Sequence, residues 1–248
     1  NGKKKGGIKK NTVLHGNTLM PHFIEFSAAA SHDQQIFKAM KLPANSYMVF
    51  DKGYNNYKQF AAFTHAGIFF ITRQKQNAVY NTVVECLHDD GSNHAILKEA
   101  IIVQEYTADD GSKQNINLRR IAWWDEAQQR VYEFITNNFE LDASTIAKLY
   151  QYRWQIELFF KKLKQNFPLQ YFVGDNQNAI EIQIWMSIIA LLLLSVIHSQ
   201  HNTSMAFSVF VTVLRLHLFN YISIRQLLKE YKKKKARVNP TATLFSSA

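Results

Sequence analysis

Cysteine is almost absent from this 248-residue chain, which contains Cys86 and no other. An intramolecular disulfide is therefore excluded, and so is a zinc site built from several cysteines. The same scarcity fits a reducing cytoplasm, where we expect the protein to act. The chain also lacks the glycine patterns that cradle nucleotide phosphates, and its scattered histidines have no metal-ligand spacing.

One hydrophobic run imitates a membrane span, the stretch IQIWMSIIALLLLSVI at 182–197. It is shorter than the roughly 20 apolar residues that a spanning helix needs. Glu181 and His198 stand at its two ends, and no basic loop cluster frames a membrane topology. We therefore expect a buried core helix and no membrane partner.

Basic residues outnumber acidic ones, with 29 Lys and Arg against 19 Asp and Glu, which gives a formal net charge of +10. This excess predicts a polyanionic partner, nucleic acid before membrane. The stretch KKKK at 232–235 could touch phosphates, but a solvated tail explains it equally well. A denser basic cluster near the start of the chain could also contact phosphates; it consists of Lys3, Lys4, Lys5, Lys9 and Lys10.

The first third of the chain alternates apolar runs of strand length with runs of helical character. We predict strands at 8–15, 22–27, 46–51 and 68–73 and helices at 33–41 and 57–67, with Gly67 just beyond the second helix. This order predicts an α/β domain with a mixed sheet.

Residues 78–138 are rich in β-branched and aromatic residues and contain the turn signals DDGSNH and DDGSK, which predict an antiparallel β block. A helix at 142–167 follows, capped by Asp142 or Ser144, and then the apolar helix and further helical sequence. We accordingly divide the chain into the first part of an α/β core at 1–74, a β-rich insertion at 75–140, core helices at 141–231 and a basic tail at 232–248.

Four polar side chains recur along the predicted helix at 142–167: Tyr150, Arg153, Glu157 and Lys164. At about 100° per residue they share one stripe roughly 60° wide, beside an apolar stripe that would face the core. A stripe on the rim of the core suits a cleft. The alternative is ordinary: Arg153–Glu157 and Glu157–Lys161 have the spacing of intrahelical ion pairs, and geometry alone does not decide between the two.

These residues spell Y-x2-R-x3-E-x6-K, which resembles the signature of the DDE transposases of bacterial insertion sequences, in the large insertion-sequence-four family. Three further blocks are similar to the same family in the same order: NGKKKGGIKKNTVLH, MVFDKGYNNY and FVGDNQNAIEIQIW. The similarity covers nearly the whole chain apart from the strands of 78–130. It implies an RNase H-like fold, an α/β mixed sheet with helices that is interrupted by a β-rich insertion before the last catalytic helix.

The resemblance implies site residues and cofactors as well. Asp51 and Glu157 would be the second and third catalytic acids and the ligands of Mg²⁺ or Mn²⁺, with two ions in the complete enzyme. Without the resemblance, Asp51 reads as a turn residue before Gly53. The phosphates of DNA would be bound by Tyr150, Arg153 and Lys164.

Trp123 and Trp124 are candidates for stacking on a displaced base, although strand packing is the simpler explanation for at least one, because neighbouring strand residues face opposite ways. The implied partners are transposon-end DNA, target DNA and a second protomer in a homodimer. The implied function is metal-dependent strand cleavage and strand transfer. A related metal-dependent nuclease and an inactive remnant that only binds DNA remain as alternatives.

The family pattern also contains a first catalytic aspartate, on a strand upstream of NGKKKGGIKK. No residue of this chain fills that position, since Asp33 lies after the second predicted strand. We therefore expect a fragment that lacks the first strand of the core.

The expected consequence is that the purified 248-residue chain does not cut DNA, because one of three metal-binding carboxylates is missing. Incubation with labelled duplex DNA and Mg²⁺ or Mn²⁺ measures this directly. Metal-dependent strand cleavage by the chain alone would contradict the expectation.

Overall fold

The computed structural model describes residues 8–16, 21–28, 36–37, 40–86, 95–167, 169, 171–201 and 205–238. It divides into two compact units, residues 1–159 and 160–248. Most of the helix predicted at 33–41 lies outside the described residues. So do Lys3, Lys4, Lys5 and the side chains of Lys9, Lys10 and 232–235.

The first unit contains two β-sheets, a two-stranded antiparallel sheet and a six-stranded mixed sheet. Strands β1 (Ile8–Leu14) and β2 (Pro21–Ala28) form an antiparallel pair. The second sheet contains β3 (Tyr47–Val49), β4 (Phe69–Arg73), β5 (Asn81–Cys86), β6 (Ile96–Thr107), β7 (Lys113–Asp125) and β8 (Arg130–Thr136). Its strand order is β3-β4-β8-β7-β6-β5. The predicted α/β class with a mixed sheet is confirmed.

The parallel pair β3–β4 is joined through the helix α1 (Tyr57–His65), as a parallel connection requires. Asn56 caps the start of α1 by accepting a hydrogen bond from the Gln59 amide at 3.2 Å. Gly67 follows its end with φ of 67°, a left-handed conformation that glycine adopts without strain.

The strands of the predicted β-rich segment continue the same sheet. β8 pairs antiparallel with β4, with Ile71 opposite Thr136, and β7 pairs with β8 on its other side. The last strand of this segment therefore lies between β4 and β7, at the centre of the sheet. The domain boundaries at 75 and 140 stay a prediction.

The two faces of this sheet bury different apolar clusters, because neighbouring strand residues point to opposite sides. On β4, Phe70 faces a cluster that includes Phe60 of α1, with the two ring centroids 4.2 Å apart. Its neighbour Ile71 faces the other cluster, together with Ile146 of the helix α2 (Ala143–Gln151). The sheet thus carries α1 on one face and α2 on the other.

Arg119 on β7 fixes the chain just before α2. Its guanidinium pairs with Glu99 on β6 and donates to the Leu141 carbonyl, and both charged side chains are buried, at 8% and 10% exposure. The Asn138 side chain supports the same segment by accepting from the amides of Glu140 and Leu141. Asp142 follows as the N-cap residue but makes no side-chain capping bond.

The second unit is helical. It contains most of α3 (Trp154–Asn166), followed by α4 (Gln177–Gln200), α5 (Phe207–Leu216) and α6 (Ile224–Val238). Lys162 donates to Ser195 Oγ at 3.1 Å and lies over the ring of Phe207, and its partial burial lowers its pKa. Arg215 donates to the Asn166 carbonyl at 2.7 Å, which ties α5 to the end of α3.

The apolar run at 182–197 lies in α4, and the prediction that it is buried is wrong for most of the helix. Only one stripe is buried, formed by Ile184, Ile188 and Leu191 at helical spacing. By length and composition alone α4 could cross a membrane, a property that core helices of soluble proteins share.

The buried pair of Arg119 and Glu99 generates a stability prediction. Arg119→Met should lower the free energy of unfolding by about 3 to 5 kcal/mol, because it removes the cation that pairs with the buried carboxylate of Glu99. Adding Glu99→Met should restore much of that loss. Urea denaturation followed by circular dichroism measures all three proteins.

Lys113→Met is the matched control, since Lys113 pairs with Glu105 on the same two strands but in the open, at 73% and 57% exposure. It should leave the free energy of unfolding almost unchanged, because exposed ion pairs contribute little to stability. Equal losses for Arg119→Met and Lys113→Met would contradict a special contribution from the buried pair.

Candidate active site

Asp51 stands two residues beyond β3, at the edge of the sheet where the parallel strands β3 and β4 both end. Its Oδ1 accepts from the Gly53 amide at 3.4 Å, so Asp51 does begin the short 3₁₀ turn Lys52–Tyr54. Its Oδ2 points elsewhere, toward the guanidinium groups of Arg73 and Arg153. The turn function and the site contacts therefore use different oxygens of one carboxylate.

The loop that follows Asp51 is fastened to β4. The side chain of Asn55 donates to the Arg73 carbonyl at 2.8 Å and accepts from the Thr72 hydroxyl at 3.0 Å. Asn55 and Thr72 are both buried, so these hydrogen bonds are shielded from water. They hold the backbone around Asp51 in a fixed position beside the end of β4.

The helix predicted at 142–167 is broken, which corrects the single continuous helix inferred from the sequence. α2 ends at Gln151, Tyr152 and Arg153 form a turn, and α3 begins at Trp154. The amide of Arg153 bonds to the carbonyl of Tyr150 at 3.0 Å, three residues back instead of four. The 100° rotation that placed the four motif residues on one stripe does not hold across this turn.

Arg153 nevertheless meets Glu157, which lies in the first turn of α3. Its Nη1 donates to Glu157 Oε1 at 2.8 Å, the four-residue ion pair that the sequence allowed. Partial burial works to lower the pKa of Arg153, but the hydrogen bond to Glu157 and the nearby negative charges raise it overall. The arginine is therefore charged at neutral pH.

The same nitrogen also approaches Asp51. Arg153 Nη1 lies 3.4 Å from Asp51 Oδ2, while 2.8 Å separate it from Glu157 Oε1. The two carboxylate oxygens are thus at most about 6 Å apart, within reach of ions that sit roughly 4 Å from each other in two-metal sites. Residues 106 positions apart in the sequence converge at one point of the first unit.

Arg73 is a member of the site that the sequence reading missed. Its Nη2 lies 3.5 Å from Asp51 Oδ2, and its guanidinium lies over the rings of Tyr132 and Tyr150, 5.6 and 5.8 Å from their centroids. Its place follows from the strand register, which the sequence alone does not specify. β3 and β4 are parallel with Val49 opposite Ile71, so Asp51 and Arg73, each two residues further on, leave the same ends of the two strands together.

Tyr150 is buried, with 8% of its surface exposed. Its ring packs on Phe134 at a centroid distance of 4.9 Å, and its hydroxyl is covered without a well-formed hydrogen bond among the described residues. Burial raises the pKa of Tyr150, although the positive charges of Arg73 and Arg153 oppose the shift. A phosphate could reach this hydroxyl only if neighbouring side chains moved.

The two tryptophans predicted to stack on a base lie on opposite faces of the sheet. Trp123 is half-buried and packs against the cluster that contains Tyr150, whereas Trp124 comes next on β7 and therefore faces the other side. Lys164 is exposed and belongs to the second unit.

The donor set suits a hard divalent cation in part. Asp51 and Glu157 offer carboxylate oxygens, 37% and 46% exposed, which Mg²⁺ and Mn²⁺ prefer. Within the described ranges no group of three or more His, Cys, Asp or Glu side chains is placed to hold a metal ion. The two acids therefore fit as a partial ligand set.

A strand-end aspartate that meets a helix-borne glutamate beside a mixed sheet defines an acidic site of the kind found in metal-dependent phosphoryl-transfer enzymes. Comparison with known proteins specifies the class. Residues 1–193 match the family described as "Transposase DDE domain". The chain belongs to this DDE transposase family, which confirms the resemblance inferred from the sequence, and domains of this family depend on divalent metal ions, generally Mg²⁺ or Mn²⁺.

Individual relatives agree. A Sinorhizobium fredii protein named as transposase y4zB is 31% identical over 192 residues, covering 77% of this chain and 53% of that protein. A Geobacillus stearothermophilus protein, named as a transposase for insertion sequence element IS5377, is 26% identical over 215 residues, covering 84% and 55%. A Synechocystis protein named for element IS4SA is 47% identical over 62 residues, covering 24% and 18%. The chain spans about half the length of the first two relatives.

The covered hydroxyl of Tyr150 can be tested through stability. Tyr150→Phe should leave the free energy of unfolding unchanged or raise it by up to about 1 kcal/mol, because it removes a buried polar group that lacks a good hydrogen bond. Chemical denaturation measures the difference.

Tyr132→Phe serves as the comparison, because the Tyr132 hydroxyl donates to Gln128 at 2.7 Å and its loss should cost about 0.5 to 1 kcal/mol. A loss larger for Tyr150→Phe than for Tyr132→Phe would mean that the Tyr150 hydroxyl is hydrogen-bonded in solution.

Proposed function

We propose that this chain provides catalytic acids for a DNA transposase that cuts and joins DNA strands at the ends of an insertion sequence. The observation that carries the proposal is the convergence of Asp51 and Glu157 on one nitrogen of Arg153. Family membership supplies the reaction class, and the geometry supports the choice of acids.

A purely structural explanation of this cluster is weaker. Asp51 and Glu157 are both partly exposed, and ion pairs of that kind stabilise a fold by no more than about 1 kcal/mol. Four parts of the fold nonetheless contribute a charged side chain to this cluster, namely the ends of β3 and β4, the turn after α2 and the start of α3. Such convergence at an open edge is better explained by ligand binding than by stability.

Mg²⁺ or Mn²⁺, two ions in the active complex, would be held by Asp51 and Glu157. When bound, such ions activate the attacking oxygen and stabilise the leaving oxygen of an in-line displacement at phosphorus. The chain's own contribution is to fix Asp51 through the Asn55 network and Glu157 through the turn before α3, so that both carboxylates point into one space.

The proposed DNA contacts come from the same motif. Arg153 suits bidentate binding of a phosphate and Lys164 supplies a point charge. Tyr150 would hold a phosphate once its hydroxyl is uncovered. The packing of Trp123 against the α2 cluster favours a structural role for it, so base stacking is proposed chiefly for Trp124.

The proposed partners are transposon-end DNA, target DNA and a second protomer of a homodimer, in the bacterial cytoplasm. The net charge of +10 supports a polyanionic partner. The second protomer follows from the resemblance to insertion-sequence transposases.

Metal binding tests the central part of this proposal. Asp51→Asn and Glu157→Gln should each weaken binding of Mn²⁺ by roughly tenfold or more, because each removes a charged oxygen ligand. Electron paramagnetic resonance of free Mn²⁺ measures the affinity of the purified chain, and circular dichroism confirms that the variants fold.

Asp109→Asn is the control, since Asp109 is an exposed acid whose ion pair is with Lys58. It should leave Mn²⁺ affinity unchanged. If all three variants bind Mn²⁺ like the parent chain, Asp51 and Glu157 are not the ligands and the assignment fails.

A further inference from the structure

We propose that Arg153 occupies the cation position between Asp51 and Glu157, so that a divalent ion must displace it and the displaced guanidinium becomes available to a DNA phosphate. Binding of metal and binding of DNA would then favour each other. This inference rests on the proposed function of the same site and adds a coupling between its two ligands.

The contacts of Arg153 are those of a cation between two anions. One nitrogen, Nη1, approaches a carboxylate oxygen of Asp51 and a carboxylate oxygen of Glu157. These are the oxygens that the protein already turns toward a positive charge. A metal ion and a guanidinium therefore compete for the same lone pairs.

The charge balance points the same way. Asp51 and Glu157 carry two negative charges, and Arg73 and Arg153 carry two positive ones. The cluster is thus neutral without a metal. Adding a divalent ion leaves two uncompensated positive charges, which is costly in a half-buried site unless one arginine moves away or an anion joins. A DNA phosphate is such an anion, and a guanidinium binds it in bidentate fashion.

Arg153 is the arginine that a bridging ion would displace. Its Nη1 contacts both carboxylates, whereas Arg73 approaches only Asp51 among the ion pairs of the described residues. Each guanidinium also lies over two aromatic rings, those of Tyr150 and Trp154 for Arg153, at 5.8 and 5.4 Å. An ion placed between the two acids therefore competes with Arg153 and leaves Arg73 beside Asp51.

Arg153→Gln tests the competition. Without DNA, the variant should bind Mn²⁺ roughly two- to fivefold more tightly than the parent chain, because a competing charge worth about one partly exposed ion pair has been removed. Arg153→Lys keeps the positive charge and should bind Mn²⁺ about as weakly as the parent. Electron paramagnetic resonance of free Mn²⁺ provides the readout, and no catalytic turnover is needed.

A short DNA duplex of arbitrary sequence tests the coupling. It should tighten Mn²⁺ binding by the parent chain several-fold, and Arg153→Gln should lose this effect. The matched control is Arg120→Gln, because Arg120 pairs with Glu133 at 13% and 40% exposure, close to the 13% and 46% of Arg153 and Glu157. Arg120→Gln should bind Mn²⁺ like the parent chain, with and without DNA.

The possible failures are distinguishable. If Arg153→Gln folds and binds Mn²⁺ no more tightly than the parent, while Asp51→Asn still weakens binding, Arg153 does not compete and only this inference is overturned. If Mn²⁺ binding is insensitive to Asp51, Glu157 and Arg153 alike, the proposed metal site fails as well. If Arg120→Gln gains as much affinity for Mn²⁺ as Arg153→Gln, the gain comes from the change in net charge. Specific competition between Arg153 and the ion is then overturned.

Discussion

The site depends on one electrostatic constraint: two carboxylates cannot be held side by side unless something positive lies between them. In this protein the guanidinium of Arg153 does so, with Asp51 on one side and Glu157 on the other. Removing it would leave like charges at most about 6 Å apart in a partly desolvated edge of the sheet, where they repel more strongly than in water. The ends of two strands and the start of a helix therefore meet around a charge that belongs to the site itself.

The rest of the first unit holds these groups at fixed positions. The parallel pairing of β3 and β4 sends Asp51 and Arg73 out of the same edge, and the buried amide of Asn55 fixes the loop between them. Arg119 and Asn138 hold the chain just before α2. Since α2 leads directly into the turn that carries Arg153, the buried pair of Arg119 and Glu99 supports the site from a distance.

Much of this could be predicted from the sequence, and the failures have physical causes. Strands and helices of the first unit were found because apolar periodicity and turn residues are local signals. The break at Tyr152 and Arg153 was missed because no proline or glycine marks it. The residues around it are ordinary in helices, but their backbone amides bond to carbonyls three residues back instead of four. Arg73 was missed because its role depends on strand pairing, which a single sequence does not specify.

The burial of α4 failed for a different reason. Hydrophobicity predicts that a side chain avoids water, but which neighbour covers it depends on tertiary packing. Within α4, Ile184, Ile188 and Leu191 are buried, whereas Met186, Ile189 and Leu193 are exposed. The motif residues were recognisable because their chemistry is specific, while the apolar run carried no information about its partner.

The division of the chain at residues 159 and 160 falls inside α3, whose first turn contains Glu157. A chimera that exchanges the two units with those of a relative cannot be joined at that division without cutting the helix that presents the acid. The natural crossover point lies later, in the non-helical stretch at 171–176 before Asn176 caps α4. Recombination at that point would transfer α4 and all that follows it. Asp51, Arg153 and Glu157 would stay together in the part of the chain that is not exchanged.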